Sequence, residues 1–419
     1  MIARSVSSPL TVPGDKSIAH RVLLLAALAR GASRIRNVPA ALDVRSTRRA
    51  LGALGVAFRD EGDDLAVDGA GGEFAAPDAP IDCGNSGTTM RLLSGVLATR
   101  PIVATLDGDA SLRARPMRRI AEPLAAFGAR FALSPAGTAP FTLTGNGAAR
   151  GSDVAVAMAS AQVKSALLFA ALGAHGTTRV TGMLRTRDHT ERLFRAFGIA
   201  CRDDGGALAV DGPAVPGAFD FTVPGDLSSA AFLLAAAAVV PGASVTVHDV
   251  GLNPTRTAFL EVLRRFGAGI EAVVTDDGAE PRGRITARGA VLHGIAIAPA
   301  EVPGLIDELP LIGVVGAFAH GTTTVAGAGE LRVKESDRIE SFAAAARAIG
   351  AHVDVAPDGF SVRGPARFRD ADVETHGDHR IAMAFAVAGR AAGVRVRLDD
   401  PECAAVSFPG FAAALGSLR

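Results

Sequence analysis

The sequence predicts an α/β chain of two similar domains, each assembled from three repeats of one unit in which helices pack on sheets. Three observations predict it. The pentapeptide TVPGD occurs at 11–15 and again at 222–226, 211 residues apart in a chain of 419. A helix-like pattern ending in hydrophobic–Gly–small recurs six times, at Gly55, Gly128, Gly198, Gly267, Gly350 and Gly416, with spacings of 73, 70, 69, 83 and 66. A second helix type, polar at its opening and apolar afterwards, interleaves with the first.

Each element has a local reason. The six glycines suit helix C-caps, with a short strand following all but the last. The second helix type opens on KSIAHR (16–21), NSGTTMR (85–91), SAQVK (160–164), DLSS (226–229), DE (307–308) and DHR (378–380). Most of these helices end near a glycine that leads into β-branched residues: GTTRV at 176–180, GASVTV at 242–247, GTTTV at 321–325. Ser, Asp and Asn at such openings are ordinary N-caps, and Asp226, Ser228 and Ser229 are read as that and no more. Caps do not explain the cations and amides at the other openings. Helix N-termini present free N–H groups and partial positive charge. If the three units of each half pack about a pseudo-threefold axis, the openings face a common cleft.

Composition narrows the function. Basic and acidic residues balance at 43 each, which gives no basis for a nucleic-acid or membrane partner. Cys83, Cys201 and Cys403 show no metal-ligand spacing and fit a reducing compartment. The apolar run Ala230–Val240 is too short to span a bilayer and reads as a buried helix. MIARSVSSPLTV lacks the apolar stretch of a signal peptide. The expectation is a soluble, cytoplasmic, monomeric chain. Only three of its basic residues are lysine: Lys16, Lys164 and Lys334. Arginine serves everywhere else, so the lysines mark places where a compact ammonium is needed.

Several anion-binding clusters stand together: Lys16, Ser17 and Arg21; Asn85, Thr88 and Arg91; Arg113 and Arg115; Ser160 and Gln162; Arg332, Lys334 and Arg338; and Arg380. Acids are mixed among them, at Asp43, Asp307, Glu308, Glu335 and Asp337. Cations in glycine- and serine-rich turns suit a strongly anionic small molecule, and acids held between cations are candidates for proton transfer. No Walker lysine follows GNSGTT and no GxGxxG occurs.

With PGDKSIAHR (13–21), GNSGTTMR (84–91), RARPM (113–117), SAQVKSALL (160–168), RDHTE (187–191), IDELP (306–310), RVKESDR (332–338), GDHRIAM (377–383) and SFPGF (407–411), the chain resembles the EPSP synthase family over essentially its whole length. The resemblance implies the enolpyruvyl transferase fold, with three βαβαββ-type units per domain. It puts the first domain at 15–225 and the second at 1–14 with 226–419, with hinge-like crossovers near 14–15 and 225–226. It implies transfer of the enolpyruvyl group of phosphoenolpyruvate to the 5-hydroxyl of shikimate 3-phosphate, through a tetrahedral intermediate and without metal or cofactor. Shikimate 3-phosphate is expected at Lys16, Ser17, Arg21, Ser160, Ala161, Gln162, Arg187, Asp307 and Lys334. Phosphoenolpyruvate is expected at Lys16, Gly87, Arg115, Gln162, Arg338 and Arg380. Asp307 would be the base on the hydroxyl, Glu335 the proton donor to the methylene carbon, and Lys16 a second proton-transfer group.

Lys164 has no direct ligand contact in this scheme and is read as the polar face of its helix, with a place just behind the ligand-contacting residues as the alternative. Thr186 stands where many relatives have serine, a replacement that would keep a phosphate-binding hydroxyl. Val406 stands where some have a lysine that reaches phosphoenolpyruvate. GDKS, SAQVK, RDHTE and NPTR (253–256) resemble the family's second class, whose members often tolerate glyphosate; Gly87, alanine in some strongly tolerant members, points to intermediate tolerance. The rival UDP-N-acetylglucosamine enolpyruvyl transferases usually carry a cysteine, or an aspartate in its place, just before the arginine segment. DGDASLRARPM has no cysteine, although Asp107 and Asp109 leave that reading a small opening. A silent binding protein on the same scaffold would have lost acid, base or anion groups that are present here.

Overall fold

The structure is a computed structural model and describes residues 10–418, so the N-terminal stretch read for a leader lies, up to residue 9, outside the described residues. The chain divides into two compact units: Gly14–Val223, and Pro224 onward together with the described residues up to Pro13. These divisions fall just ahead of the expected crossovers. Hydrogen bonds give the reason. The Val223 N–H donates to Arg36 O at 3.0 Å inside the first unit, and the Asp226 N–H donates to Pro13 O at 2.8 Å inside the second.

Three helices form the centre of the first unit: Lys16–Leu28, Gly87–Ala98 and Ala161–Ala171. Each opens where a side chain caps it. Asp15 accepts from Ile18 N at 3.0 Å, Ser86 from Thr89 N at 3.1 Å, and Ser160 from Val163 N at 3.4 Å. Beyond the first turn they are apolar on nearly every face, and such helices are buried all round. Gly95 lets two of them meet, because a Cβ there would stand 2.2 Å from Ala166 O.

Three four-stranded sheets share one pairing pattern. In the first, Arg30–Arg36 pairs parallel with Asp220–Thr222 and antiparallel with Asp64–Ala70, which pairs with Ala57–Glu61. Val103–Asp107 repeats this with Ile81–Asp82, Phe141–Thr144 and Arg130–Ala132. Gly176–Gly182 repeats it with Asp153–Val156, Ala207–Gly212 and Cys201–Asp204.

The second unit centres on the buried helices Leu227–Ala238, Leu309–Phe318 and His379–Ala392. Its first sheet orders Ser244–Gly251, Arg282–Arg288 and Gly269–Asp276, and Leu10 bridges Val247 in parallel at the edge. The second has the full four strands, with Ala296–Ile297 parallel to Gly321–Val325. The third is reduced to one parallel pair, Ala371–Val373 with Val396–Leu398.

Five of the six repeat glycines have left-handed backbone, from φ 78° at Gly198 to 109° at Gly267, as a C-cap glycine should. The sixth departs from the expectation: Gly416 lies inside the helix Phe411–Ser417. The two TVPGD turns are built alike. A Cβ on Gly14 would stand 2.0 Å from Asn37 O, and one on Gly225 would stand 2.9 Å from Asp249 O. Asn37 and Asp249 are themselves left-handed, at φ 55° and 54°.

Candidate functional site

In the first unit the polar helix openings hold one another. Lys16 Nζ lies 2.9 Å from Asp43 Oδ2, both part-exposed, with side chains 17% and 11% accessible. Gln162 Nε2 donates to Thr88 Oγ1 at 3.0 Å and its carbonyl accepts from Arg91, so the second and third openings are tied. Arg115 donates to Asn85 Oδ1 at 2.7 Å and Ser111 Oγ at 3.2 Å. Gly87 lies under two guanidinium ends: its Cβ would be 3.3 Å from Arg91 Nη1 and 3.4 Å from Arg115 Nη1. Ser160, Ala161, Gln162 and Arg187 are half-buried. Arg91 and Arg115 therefore converge over Gly87 at one capped helix end, an arrangement suited to a small dianion.

Arg21 is placed deeper than the sequence suggested. It is buried, donating to Ser17 O at 2.7 Å, Thr190 Oγ1 at 2.8 Å and Ser165 Oγ at 2.8 Å. Arg113 points away, with its fork closed on Asp107 at 2.8 and 2.5 Å at the surface. A buried hydroxyl chain that the sequence did not reveal runs from His20 through Thr47 and Thr89 to Ser86, at 2.6, 2.7 and 2.8 Å. Burial, then the charges of Lys16 and Arg21, hold His20 well below the ordinary imidazole range, so its ring is neutral.

The Lys164 reading is corrected. It is not on a polar face: its side chain is 1% accessible and its ammonium is 2.6 Å from Glu191 Oε1.

In the second unit Arg338 is the hub. It is buried, with Nε 2.8 Å from Asp378 Oδ2, Nη2 2.6 Å from Glu335 Oε2 and Nη1 3.7 Å from Asp307 Oδ1. Burial alone would lower the guanidinium's pKa, but Asp378 and Glu335 outweigh it and hold Arg338 firmly charged. Burial would likewise raise Asp378, and Arg338 brings it below the usual carboxylate range. Asp378 also caps the helix His379–Ala392 through the Arg380 N–H at 2.9 Å. Asp307 and Glu335 stay partly open, with side chains 23% and 19% accessible. Two reachable carboxylates on one buried cation suit proton transfer.

Arg380 lies 3.8 Å from Glu308 Oε1 and over the Phe232 ring at 5.9 Å. Here a second correction arises. Asp226 is the N-cap, accepting from Ser228 N at 2.8 Å. Ser228 is no cap; its hydroxyl donates to Glu308 and accepts from Arg256 Nη2 at 2.5 Å. Lys334 rests on Glu330 at 3.1 Å. Arg332 is taken up by Asp337 at 2.7 Å and by the carbonyls of Pro357 and Ala356 at 2.7 and 3.0 Å. Val406 ends the short turn Pro401–Val406, half-buried. Among the described residues, no three His, Cys, Asp or Glu side chains are placed to hold a metal ion, and no helix is long and apolar enough to cross a membrane.

A family model described as EPSP synthase (3-phosphoshikimate 1-carboxyvinyltransferase) matches residues 2–415. The chain belongs to the EPSP synthase family. Relatives named 3-phosphoshikimate 1-carboxyvinyltransferase bear this out: that of Akkermansia muciniphila is 46% identical, covering 97% of this chain and 96% of its own, and one from Thermus thermophilus is 47% identical, covering 96% and 94%. A solved EPSP synthase from Acinetobacter baumannii superposes with a TM-score of 0.84 at 38% identity, over 98% of this chain and 95% of its own. The enolpyruvyl transferase NikO of Streptomyces tendae, at 18% identity and a TM-score of 0.79 over 99% of this chain and 95% of its own, shares the fold. The expected fold class and family are thus met.

Proposed function

We propose that the chain transfers the enolpyruvyl group of phosphoenolpyruvate to the 5-hydroxyl of shikimate 3-phosphate, releasing phosphate, as a step toward chorismate and the aromatic amino acids. Its two compact units are then the two enolpyruvyl transferase domains. The observation that carries the reading is the pair Asp307 and Glu335, both reachable, on the buried Arg338. Asp307, as carboxylate, takes the proton of the hydroxyl as its oxygen bonds to the enolpyruvyl carbon, and Glu335, as the neutral acid, gives its proton to the methylene carbon.

The binding is assigned residue by residue. Lys16, Ser17, Arg21, Ser160, Ala161, Gln162, Arg187, Asp307 and Lys334 serve shikimate 3-phosphate. Lys16, Gly87, Arg115, Gln162, Arg338 and Arg380 serve phosphoenolpyruvate. Arg21 acts by fixing Ser17 from beneath as much as by its charge, since its donors already have partners. Lys334 leaves Glu330 when the ligand offers a better anion. A fixed cation such as the buried Arg338 stabilises charge that develops in the transition state without reorganising.

The reading carries with it a monomeric, cytoplasmic enzyme of the second class with intermediate glyphosate tolerance. Inhibition constants as tight as those of sensitive members would contradict the last point. The test is phosphate release from phosphoenolpyruvate with shikimate 3-phosphate or UDP-N-acetylglucosamine as acceptor. Turnover with the first is expected, and its absence would sink the reading.

A further inference from the structure

Lys164 is a buried cation in a chain that uses arginine for nearly every other positive charge. Its ammonium has three protons and meets three acceptors: Glu191 Oε1 at 2.6 Å, Leu184 O at 3.2 Å and Thr186 O at 3.5 Å. The acceptors belong to two pieces of chain. Leu184 and Thr186 lie in the irregular segment between the strand Gly176–Gly182 and the helix His189–Ala196, and Glu191 is in that helix's first turn. Within the segment, the Leu184 and Thr186 N–H groups donate only locally, to Gly182 O at 2.9 Å and Leu184 O at 2.7 Å. Two of its carbonyls face inward to Lys164. The segment carries Arg187, and Thr186 Oγ1 is buried with no hydrogen-bond partner among the described residues. Next to this contact, Ser165 Oγ bonds Thr190 Oγ1 at 2.7 Å and both receive Arg21, so the helix Ala161–Ala171 grips the same short helix at two successive residues.

We propose that Lys164 is a positioning residue for acceptor binding: balanced by Glu191, it pins the 184–186 backbone to the helix that opens with Ser160 and Gln162, and so fixes where Thr186 and Arg187 meet the acceptor's phosphate. This rests on the function proposed above. A planar guanidinium cannot point at three acceptors spread about one nitrogen, which accounts for lysine at this place. The role is separate from the chemical step: Asp307, Glu335 and Lys16 are not among the partners that Lys164 holds.

The test separates positioning from simple stability. Replacing both partners, Lys164→Met with Glu191→Leu, removes the pair without leaving a lone buried charge. The double variant is expected to melt near the parent and to keep kcat and the phosphoenolpyruvate KM. Its KM for shikimate 3-phosphate should rise about ten- to a hundredfold. Adding Arg187→Ala should cost little more than Arg187→Ala alone, since both act through one contact. Lys164→Arg keeps the charge and gives a second route to the same readout if the double variant does not fold; it too should raise only the acceptor KM. Parent-like acceptor KM in whichever of these variants folds overturns the proposal, as does a loss of kcat with the acceptor KM unchanged. Absence of phosphate release by the unmodified chain with shikimate 3-phosphate would instead mark failure of the function itself, and this inference would fall with it.

Discussion

At the residue scale, the chemistry depends on which cations are spent on the protein and which are left for a ligand. Lys16 is shared between Asp43 and solvent. Lys16→Arg keeps charge but changes reach, and the expected result is a severe loss of turnover with the melting temperature little altered; near-normal turnover would refute it. Asp378 serves the buried Arg338 and the helix N-cap together. Asp378→Asn keeps a cap acceptor but removes the charge, so denaturant titration should show a loss of about 3 kcal/mol or more. His20 offers a pH test. Its folded pKa lies below the unfolded value of about 6.5, so the unfolded chain binds the extra proton first. Its contribution to stability is complete above that value and is lost as pH falls from there toward the folded pKa. The melting temperature should therefore drop more steeply on acidification in the parent than in His20→Gln. Motif letters singled out Lys16, Asp307, Glu335, Arg338 and Arg380 as candidates. They did not announce that Arg21 and Arg332 are satisfied internally or that Arg113 closes on Asp107, because partners far apart in sequence are set by packing.

At the element scale, helix starts were legible because the cap chemistry is local. Polar letters followed by an apolar run fixed all six openings, and five carry a side-chain cap. The exception is informative: Glu308, at the head of Leu309–Phe318, makes no cap and turns to Ser228 and Arg380. Sequence could not tell a capping serine from Ser228, since that depends on what a neighbouring helix presents. Helix separation is equally a matter of partners. Gly95→Ala would force apart Gly87–Ala98 and Ala161–Ala171, the helices that Arg91 and Gln162 join. It should cost about 1–3 kcal/mol in thermal or urea unfolding and raise the KM for phosphoenolpyruvate. An unchanged KM would show that the two openings are set independently.

At the scale of the whole molecule, the repeat was legible because duplication preserves spacing and glycine chemistry. What stayed hidden was how each half closes its first sheet. In the first unit the closing strand is Asp220–Thr222, the last piece of that unit, laid beside Arg34–Arg36. In the second it is Leu10, with His248 N donating to Leu10 O at 2.8 Å. Removing residues up to Pro13 should therefore speed hydrogen exchange around Val247–Val250 and leave the amides of Arg30–Arg36 protected; equal loosening of both would contradict the division. The same closure bears on how the protein is made. Leu10–Pro13 leaves the ribosome ahead of Gly14, yet its partners Val247 and Asp226 emerge more than two hundred residues later. During that interval Gly14–Val223 can complete all three of its sheets as soon as Thr222 is out, while Leu10–Pro13 waits unpaired. The nascent chain thus completes Gly14–Val223 before the segment just ahead of it is paired, and slowing translation after residue 223 should leave the first unit protease-resistant while Leu10–Pro13 stays open to cleavage.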